Sequence, residues 1–393
     1  MIVLKKEKFG GIAFNSSNAN QVYLDKELFS NFCLFLEGSF GLNNQIKKII
    51  KELEVKKIDF IMRNNKTISY NSELSILSSP TLADIAITTK CNLHCPHCYM
   101  SSSSKGEHMS IDNFRLALQE CKKNGVLQIA LGGGEPTLHP NFTQILKEIK
   151  QAGIVPNLTT NGKVLSWKTV YAMARYSGAV ALSIEAIGKN FETRRKFSFS
   201  EFVKSITKLK SAGINLVFQI TISKENLNSI PQIINYLIQF KPYGLLFLAY
   251  KPQGRGISYN TSLSLADSEK IQRTIKYILQ KTNITRVGFD CCITPSLMHL
   301  KNVNSFEGCS ASRSSLAIMT DLTVLPCSFL LQDKHADNLK QKNLADIWQG
   351  FYFNRFRDKI RSQKNSSTCN SCNVNNICLG GCPSFNLAKC CLN

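Results

Sequence analysis

The spacing of hydrophobic positions changes along the chain and divides it into three regions. Between residues 83 and 284, apolar β-rich runs alternate with segments that repeat apolar residues at helical spacing. Six such runs occur: LADIAITT, VLQIALGG, IVPNLTTN, AVALSIEA, INLVFQITIS and GLLFLAY. Six strand–helix units predict an α/β fold with a parallel sheet, a full or partial (β/α)6 TIM-like barrel. Ligands of such a barrel bind at the carboxyl ends of its strands.

The first region, residues 1–82, predicts a hairpin followed by helices. KFGGIAFN and QVYLD flank the polar turn SSNAN, which indicates two antiparallel strands. KELFSNFCLFLEG and NNQIKKIIKELE have helical spacing. IDFIMRNN follows, and the serine-rich NSELSILSSP is interpreted as a linker. This order predicts a small winged-helix-like α+β domain.

The third region, residues 285–393, contains ten of the fifteen cysteines and little regular pattern. The chain has no apolar run of membrane-spanning length and no export signal at its start, so we expect a cytoplasmic protein without a membrane partner. Cysteines in that setting indicate metal ligands rather than disulfides. The third region is therefore predicted to need metal to hold its fold.

The formal net charge of +21 comes mostly from lysines scattered along the whole chain. The scatter is typical of a lysine-rich proteome, and it also suits an acidic peptide or an acidic electron carrier as partner. The helices of the first region have no basic recognition face, so nucleic acid is not an expected partner.

Three cysteines follow the first barrel strand closely: Cys91, Cys95 and Cys98. Three thiolates are one short of a closed cluster or zinc site, which leaves a position for a substrate or cofactor. A zinc knuckle with His94 or His97 as fourth ligand is the alternative.

This Cx3CxxC motif resembles the signature of the radical S-adenosylmethionine (SAM) superfamily. The resemblance implies that Cys91, Cys95 and Cys98 hold a radical-generating 4Fe-4S cluster. It further implies that the fourth iron binds the amino and carboxylate groups of SAM. Reduction of the cluster would then cleave SAM to a 5′-deoxyadenosyl radical.

Further residues resemble the SAM-binding motifs of that superfamily. Gly132-Gly133-Gly134-Glu135-Pro136 is similar to the GGEP motif, whose glutamate would pair with the methionine ammonium group. The cofactor-binding residues implied are Gly133, Gly134, Glu135, Pro136, Asn161, Ser183, Glu185, Arg195 and Tyr99. Arg194 is an alternative to Arg195, and Tyr99 could equally be a core residue.

A second cysteine array, with the spacing Cx2Cx5Cx3C, resembles the SPASM extension, which carries two auxiliary 4Fe-4S clusters. One cluster would use Cys309, Cys327 and Cys382, with Cys291 or Cys292 as a further ligand, or stay open at one iron. The other would use Cys369, Cys372 and Cys378, with Cys390 or Cys391. A zinc ribbon is the alternative. Leu322 stands where the family has glycine, which puts the local turn in question. Cys33 and Cys121 are predicted to be ordinary core residues.

The opening KEKFGGIAF…VYLD resembles the element that binds leader peptides in ribosomal-peptide (RiPP) pathways, although a structural cap is an alternative. Together the resemblances imply a peptide maturase that installs a thioether or carbon–carbon crosslink. Its partners would be a precursor peptide, held by its leader, and a flavodoxin- or ferredoxin-type electron donor. Peptide epimerisation, peptide splicing, sulfatase maturation and tetrapyrrole modification are alternatives, as is a non-catalytic iron–sulfur electron carrier.

Overall fold

The structure, a computed structural model, describes most of the chain. The described residues are 1–54, 76–259, 261–281, 286–297, 308–331, 335–364, 367–372 and 375–385. The predictions for IDFIMRNN, for the first half of NSELSILSSP, and for Cys390 and Cys391 lie outside these residues.

The first unit is a three-stranded antiparallel sheet followed by two helices. Its elements are β1 (Ile2–Glu7), β2 (Gly10–Asn15), β3 (Asn20–Asp25), α1 (Lys26–Leu36) and α2 (Asn44–Glu54). The predicted hairpin is confirmed, since β2 pairs with β3 and Asn15 lies opposite Asn20. Asp25 begins α1 by accepting a hydrogen bond from the Leu28 amide at 2.8 Å. The winged-helix likeness stays a prediction, because the chain after α2 lies outside the described residues.

The small sheet has two buried faces, so it joins its own helices to the barrel. Ala13 and Leu24 pack with Phe32 of α1 and Ile46 of α2. From the other face, Ile12 and Phe14 pack on residues that precede or begin barrel strands: Leu77, Leu127 and Val155. The first unit therefore covers the amino ends of the barrel strands, opposite the end where ligands bind.

Seven parallel strands form the barrel sheet, and neighbours in the chain are neighbours in the sheet. They are β4 (Leu82–Thr88), β5 (Gln128–Gly133), β6 (Val155–Thr160), β7 (Val180–Ile184), β8 (Leu216–Ile222), β9 (Gly244–Ala249) and β10 (Val287–Phe289). The six predicted strands are confirmed, and the partial barrel with them. β10 was not predicted; it extends the parallel sheet past residue 284.

Helices cover the outer face of this sheet. They are α3 (Ile111–Lys123), α4 (Phe142–Gln151), α5 (Trp167–Tyr176), α6 (Gly188–Arg195), α7 (Phe199–Ser211), α8 (Ile230–Leu237) and α10 (Ser268–Lys281). The short α9 (Gly256–Tyr259) lies instead at the carboxyl ends of the strands, where the Tyr259 ring is 6.3 Å from that of His97. Short 3-10 turns span Pro136–Leu138, Leu227–Ser229, Ile238–Phe240 and Leu265–Asp267. On β4, Ala83, Ile85 and Ile87 are fully buried against this helix layer. The alternate residues of each strand consequently face the barrel lumen.

The C-terminal region continues the barrel sheet instead of forming a separate body. Its elements are α11 (Thr294–Leu297), β11 (Ser315–Ile318), β12 (Thr323–Leu325), β13 (Asp337–Asn338), α12 (Leu344–Gln349), α13 (Phe351–Lys364), α14 (Ser367–Asn370) and α15 (Asn375–Cys378). β11 pairs in parallel with β4, and β12 and β13 follow it in antiparallel order. Trp348 of α12 donates a hydrogen bond to the Leu77 carbonyl at 3.0 Å, which fixes this region beside the first unit.

The turn between β11 and β12 forms with leucine in place of the family's glycine. Leu322 has a φ of +74°, in the left-handed region, and its side chain is fully buried. Its amide donates to the Met319 carbonyl at 2.9 Å. Left-handed backbone costs a non-glycine residue about 1–2 kcal/mol, which burial of the leucine side chain offsets.

No helix in the described part of the chain is both long and apolar enough to cross a membrane. Cys121 is fully buried on α3, whereas Cys33 is only half-buried on α1.

Candidate functional site

The loop after β4 carries the first three predicted cysteines, and its backbone holds them in a compact turn. The Cys91 amide donates to the Ser103 carbonyl at 2.8 Å, and the Cys98 amide donates to the Cys95 carbonyl at 3.3 Å. All three thiols are free. Burial, with a smaller contribution from the nearby Cys95 and Cys98 thiols, raises the pKa of Cys91 to about 11. Because thiolates there repel one another and lack water, a bound cation is needed to stabilise them together.

The glycine-rich end of β5 packs directly against the segment that leads into this loop. The Gly134 amide donates to the Thr88 carbonyl at 2.7 Å, and the Glu135 amide donates to the Lys90 carbonyl at 2.8 Å. A Cβ atom on Gly134 would lie 2.1 Å from the Lys90 carbonyl oxygen, and Gly133 has a φ of +114°. These glycines therefore let two chain segments touch, so that the cysteine loop starts from a fixed position.

Glu135 is buried and binds several donors of the chain. Its Oε1 accepts from the Thr137 hydroxyl at 2.6 Å and the Thr160 hydroxyl at 2.7 Å. Its Oε2 accepts from the Asn161 amide at 2.7 Å. Burial raises the pKa of Glu135, and these donors oppose that rise. Oε2 has one bond, so it retains capacity for a further donor such as the ammonium group that the resemblance implies.

Asn161 connects this carboxylate to the cysteine loop. Its side-chain amide donates to Asn92 Oδ1 at 2.8 Å and lies 3.8 Å from the Cys91 sulfur. The structure thus brings Glu135, Asn161 and Cys91 into one connected group. Pro136 is buried directly beside them, at the start of a 3-10 turn.

Glu185 and Arg195 form a buried, two-point ion pair at the carboxyl end of β7. Arg195 Nε lies 2.9 Å from Glu185 Oε2, and Nη2 lies 2.5 Å from the same oxygen. Arg194 instead pairs with Glu225 at 3.1 Å. The structure therefore separates the two arginines, because only Arg195 bonds to Glu185 directly, whereas Arg194 pairs with Glu225 beside it. Arg195 also lowers the pKa of Cys95, although burial raises that pKa overall.

The two histidines of the motif lie unfavourably for a zinc knuckle. His94 is exposed. His97 Nε2 is 4.0 Å from Glu185 Oε2, and burial lowers the pKa of His97 to about 4. A neutral His97 that faces Glu185 belongs to the ion-pair group rather than to a tetrahedral metal site.

Two functional positions were missed from the sequence, Asn226 and Arg255. The Asn226 side chain is buried and donates to the Glu185 carbonyl at 2.9 Å. Arg255 follows β9 and donates to the Cys95 carbonyl at 3.0 Å and to the Ser102 carbonyl at 2.8 Å. Neither belongs to a motif. The nearest sequence signal for Arg255 is its place in the loop that follows a barrel strand, where site residues occur.

Tyr99 and Ser183 lie at the mouth of the barrel. The ring of Tyr99 is 4.5 Å from that of Phe329, two residues after Cys327. Tyr99 therefore joins the first cysteine loop to the C-terminal region. Ser183 is half-buried near the end of β7, on the lumen side.

The C-terminal thiols gather on the same side of the barrel. The sulfur atoms of Cys291, Cys292 and Cys382 all lie within 4.8 Å of one another. Cys291 also contacts Cys309, and Cys309 packs in one cluster with Cys327. Cys291, Cys292 and Cys382 thus form one close group with Cys309 and Cys327 beside it, and either Cys291 or Cys292 can complete the predicted set.

The second predicted set lies beside the first. The Cys372 amide donates to the Cys369 carbonyl at 3.1 Å, and Cys378 ends α15. Their predicted partners, Cys390 and Cys391, lie outside the described residues.

Asp290 follows β10 and caps a strand end. Its Oδ2 lies 2.5 Å from Lys251 Nζ and 3.0 Å from the Ala249 amide, and its Oδ1 accepts from the Cys292 amide. Lys251 Nζ lies 4.1 Å from the centre of the Phe329 ring. The pair therefore holds the auxiliary cysteine segment to the ends of β9 and β10.

The donor sets fit iron–sulfur clusters. Both groups consist of free, buried or half-buried thiols, the soft ligands that such clusters bind. The first group has three thiols beside a buried carboxylate with spare capacity, which suits a cluster that also binds a small molecule.

Comparison with known proteins supports this interpretation of the two groups. The family model described as the radical SAM superfamily matches residues 85–237. The SPASM model, described as an iron–sulfur cluster-binding domain, matches residues 309–373. The two matches cover the first cysteine loop and, of the C-terminal thiols, Cys309, Cys327, Cys369 and Cys372.

Two curated relatives and one solved structure resemble the chain. The AdoMet-dependent heme synthase of Methanosarcina barkeri is 25% identical, over 78% of this chain and 92% of its own length. The PqqA peptide cyclase of Ruegeria pomeroyi is 26% identical, over 75% of this chain and 80% of its own length. The structure of Streptococcus suis SuiB bound to precursor peptide SuiA has a TM-score of 0.73 at 23% identity, and covers 97% of this chain and 94% of SuiB. At that identity the structural match establishes the fold.

Proposed function

Because the chain combines a radical SAM domain with a SPASM domain, we propose that it is a peptide maturase that installs a crosslink in a ribosomally made precursor. The observation that carries the proposal is the extent of the match to SuiB. That match covers 97% of this chain, including the N-terminal sheet unit, and SuiB was solved with a precursor peptide. The PqqA peptide cyclase is a second relative that acts on a peptide.

The residues around the first cysteine loop would hold the cofactors. Cys91, Cys95 and Cys98 would ligate the radical-generating cluster, and Glu135 would accept the ammonium group of SAM. When bound, SAM and this cluster supply a 5′-deoxyadenosyl radical that removes a hydrogen atom. Gly133, Gly134, Pro136 and Asn161 would position this carboxylate and the loop.

The Glu185–Arg195 pair would supply fixed charge beside the cofactor. Arg195 keeps Glu185 ionised, because its guanidinium holds the pKa of that carboxyl below its ordinary value despite burial. A carboxylate fixed at the carboxyl end of β7, next to Ser183, would accept hydroxyl donors of the SAM ribose. Tyr99, next to Cys98, would close the adenine side.

Two auxiliary clusters would bring the total to three. One would use Cys309, Cys327 and Cys382 with Cys291 or Cys292. The other would use Cys369, Cys372 and Cys378 with Cys390 or Cys391. We further propose a flavodoxin- or ferredoxin-type electron donor and a cytoplasmic location, since reducing surroundings keep thiols available for clusters.

The N-terminal sheet unit, residues 1–82, would bind the leader of the precursor. Antiparallel sheets of this size capture extended peptides by adding a strand at an edge. With a net charge of +21, this chain favours an acidic leader. Residues 83–284 would then form the radical SAM barrel, and residues 285–393 the SPASM domain.

Tetrapyrrole modification is a second candidate, favoured by the similarity to the heme synthase of Methanosarcina barkeri. The two candidates differ in substrate binding. A maturase binds a precursor peptide through its leader, whereas a tetrapyrrole enzyme does not need one.

Mass spectrometry of the short peptide encoded beside this gene, co-expressed with the enzyme, tests the proposal. A crosslink makes the peptide lighter by two hydrogen atoms per event. The Cys95→Ala variant is the matched control and should leave the mass unchanged. An unchanged mass with the wild-type enzyme contradicts crosslinking. Deuterium uptake from solvent would then indicate epimerisation.

A further inference from the structure

Asp84 lies in the middle of β4, on the lumen side of the barrel. Its neighbours along the strand, Ala83 and Ile85, are fully buried against the helix layer, so Asp84 points the opposite way. Across the seven described barrel strands, Asp84 is the one acidic residue within a strand. Other lumen positions of the strands carry neutral polar side chains, such as Gln128, Asn157 and Gln219, so Asp84 is the carboxyl group that the described strands bring into the lumen.

The surroundings of Asp84 leave one flank open. On the adjacent strand, the lumen position belongs to Gly132, and a Cβ atom there would lie 3.5 Å from Asp84 Oδ1. The neighbouring lumen positions Ala86 and Ala130 are also small. A substrate group could therefore approach this carboxyl group from the lumen.

The other flank of Asp84 contacts the two loops that follow cluster ligands. The Ser328 hydroxyl, next to Cys327, forms a side-chain hydrogen bond with the Asp84 carboxyl group. Ser328 contacts the Tyr99 hydroxyl in the same way, and Tyr99 follows Cys98. Asp84 thus lies between the segment of the radical-generating cluster and the segment of an auxiliary cluster.

The electrostatics of Asp84 differ from those of a structural ion pair. Burial raises the pKa of Asp84 to about 6, and the Ser328 hydroxyl opposes that rise. Glu185, by contrast, is held ionised by Arg195. A carboxyl group that titrates near neutral pH can accept a proton and release it again in each turnover.

We propose that Asp84 accepts the proton that a crosslinking partner group loses as the new bond forms, an inference that rests on the proposed function. Each crosslink removes two hydrogen atoms from the peptide. One leaves as a hydrogen atom to the 5′-deoxyadenosyl radical. The other leaves as a proton to Asp84 and as an electron to an iron–sulfur acceptor. The bond between the partner atom and its hydrogen breaks, and a bond to the peptide carbon forms.

The test compares Asp84→Asn with the wild-type holoenzyme on the full-length peptide encoded beside this gene, in deuterium oxide. Two quantities are measured: crosslinks formed per 5′-deoxyadenosine released, and deuterium in the peptide that is not crosslinked. Without a proton acceptor, hydrogen abstraction continues but bond formation stalls. We expect the ratio to fall about 100-fold or more, and deuterium to enter the peptide as the carbon radical is quenched.

Controls separate this role from folding and binding. Asp112→Asn removes an exposed aspartate, whose side chain is 90% accessible, and should match the wild type. Iron content, cluster spectra and peptide affinity should not change in Asp84→Asn. Asp84→Glu retains a carboxylate beside the free space at Gly132 and should restore the ratio in part.

Several results would overturn the inference. The inference is wrong if Asp84→Asn forms as many crosslinks per 5′-deoxyadenosine as the wild type. It is also wrong if the variant loses only peptide affinity, which would make Asp84 a binding residue. If Asp84→Asn loses iron, Asp84→Glu decides, because a ratio as low as that of Asp84→Asn in a glutamate variant with full iron content contradicts the role. If the wild-type enzyme leaves the peptide mass unchanged, the proposed function itself fails, and this inference fails with it.

Discussion

Arg255 and Cys95 are 160 residues apart in the chain, yet Arg255 Nε donates to the Cys95 carbonyl at 3.0 Å. A second guanidinium nitrogen binds the Ser102 carbonyl, so the arginine connects the middle of the cysteine motif to the segment that follows it. The loop after β9 therefore positions ligands that belong to the loop after β4.

Replacing Arg255 with methionine should impair the radical-generating cluster. Each hydrogen bond from a charged donor contributes about 1.5–3 kcal/mol, so the loop loses much of its support. We expect at least a tenfold slower release of 5′-deoxyadenosine from SAM in the absence of peptide, with reduced iron content. Arg115→Met removes only surface ion pairs, with Asp112 and Glu148, and is the control. Wild-type rates in Arg255→Met would contradict the positioning role.

Because Leu322 combines a left-handed backbone with a buried side chain, we expect an unusual order of stability among its variants. Leu322→Ala loses the buried side chain but keeps the left-handed backbone, whereas Leu322→Gly loses the side chain and relieves the strain. Both should be less stable than the wild type. The glycine variant should exceed the alanine variant by about 1 kcal/mol, measured by denaturant unfolding. At positions with ordinary backbone angles, an alanine variant is more stable than a glycine variant. If that order is found at Leu322, the turn is not strained.

The buried ammonium group of Lys5 should make the free energy of unfolding depend on pH above neutrality. Burial lowers its pKa to about 8, although Glu7 opposes this, and its ammonium donates to the Pro80 carbonyl at 3.1 Å. Between that value and the ordinary 10.5, the unfolded chain binds a proton that the folded chain does not, so stability rises with pH in this window. Below about pH 8 both states carry the proton and the dependence disappears.

Comparison of variants isolates this effect from other groups that titrate in the same window. The free energy of unfolding is measured by thermal unfolding for both proteins. The wild-type value minus the Lys5→Met value should rise from pH 8 to 10.5. The exposed Lys26→Met should give no such difference. A constant difference for Lys5→Met would show that the Lys5 pKa is not shifted.

Iron content tests the auxiliary clusters. Three four-iron clusters require roughly twelve irons per chain after anaerobic reconstitution. Cys369→Ala should lower the value by about four, since its cluster would lose a ligand. Cys33→Ala, on the half-buried face of α1, should leave it unchanged. A wild-type value of about four would contradict both auxiliary sites.

The sequence predicted the longer elements of the barrel and missed the shortest ones. Strands such as β8 have a buried apolar residue at every second position over seven residues, so their period is clear. β10 has three residues and β11 has four, which is too few for a period. Their strand conformation depends on pairing with β9 and β4, a tertiary effect that local patterns do not contain.

The candidate site was predictable where short spacing brings residues together. Cys91, Cys95 and Cys98 lie within one loop, and the glycines of β5 follow a strand. Arg255 and Asp84 were not predicted, because their partners lie far away in the chain. Arg194 and Arg195 were indistinguishable in sequence, and only the buried Glu185 separates them.

The pairing of β11 with β4 has a consequence for how the chain is made. Thr81, at the start of β4, binds Ser314, which follows 233 residues later. Until that segment leaves the ribosome, β4 is an apolar strand with one open edge, a surface that recruits other strands. The nascent barrel must therefore be protected from aggregation through most of its synthesis, and chains that end before β11 would keep this exposed edge.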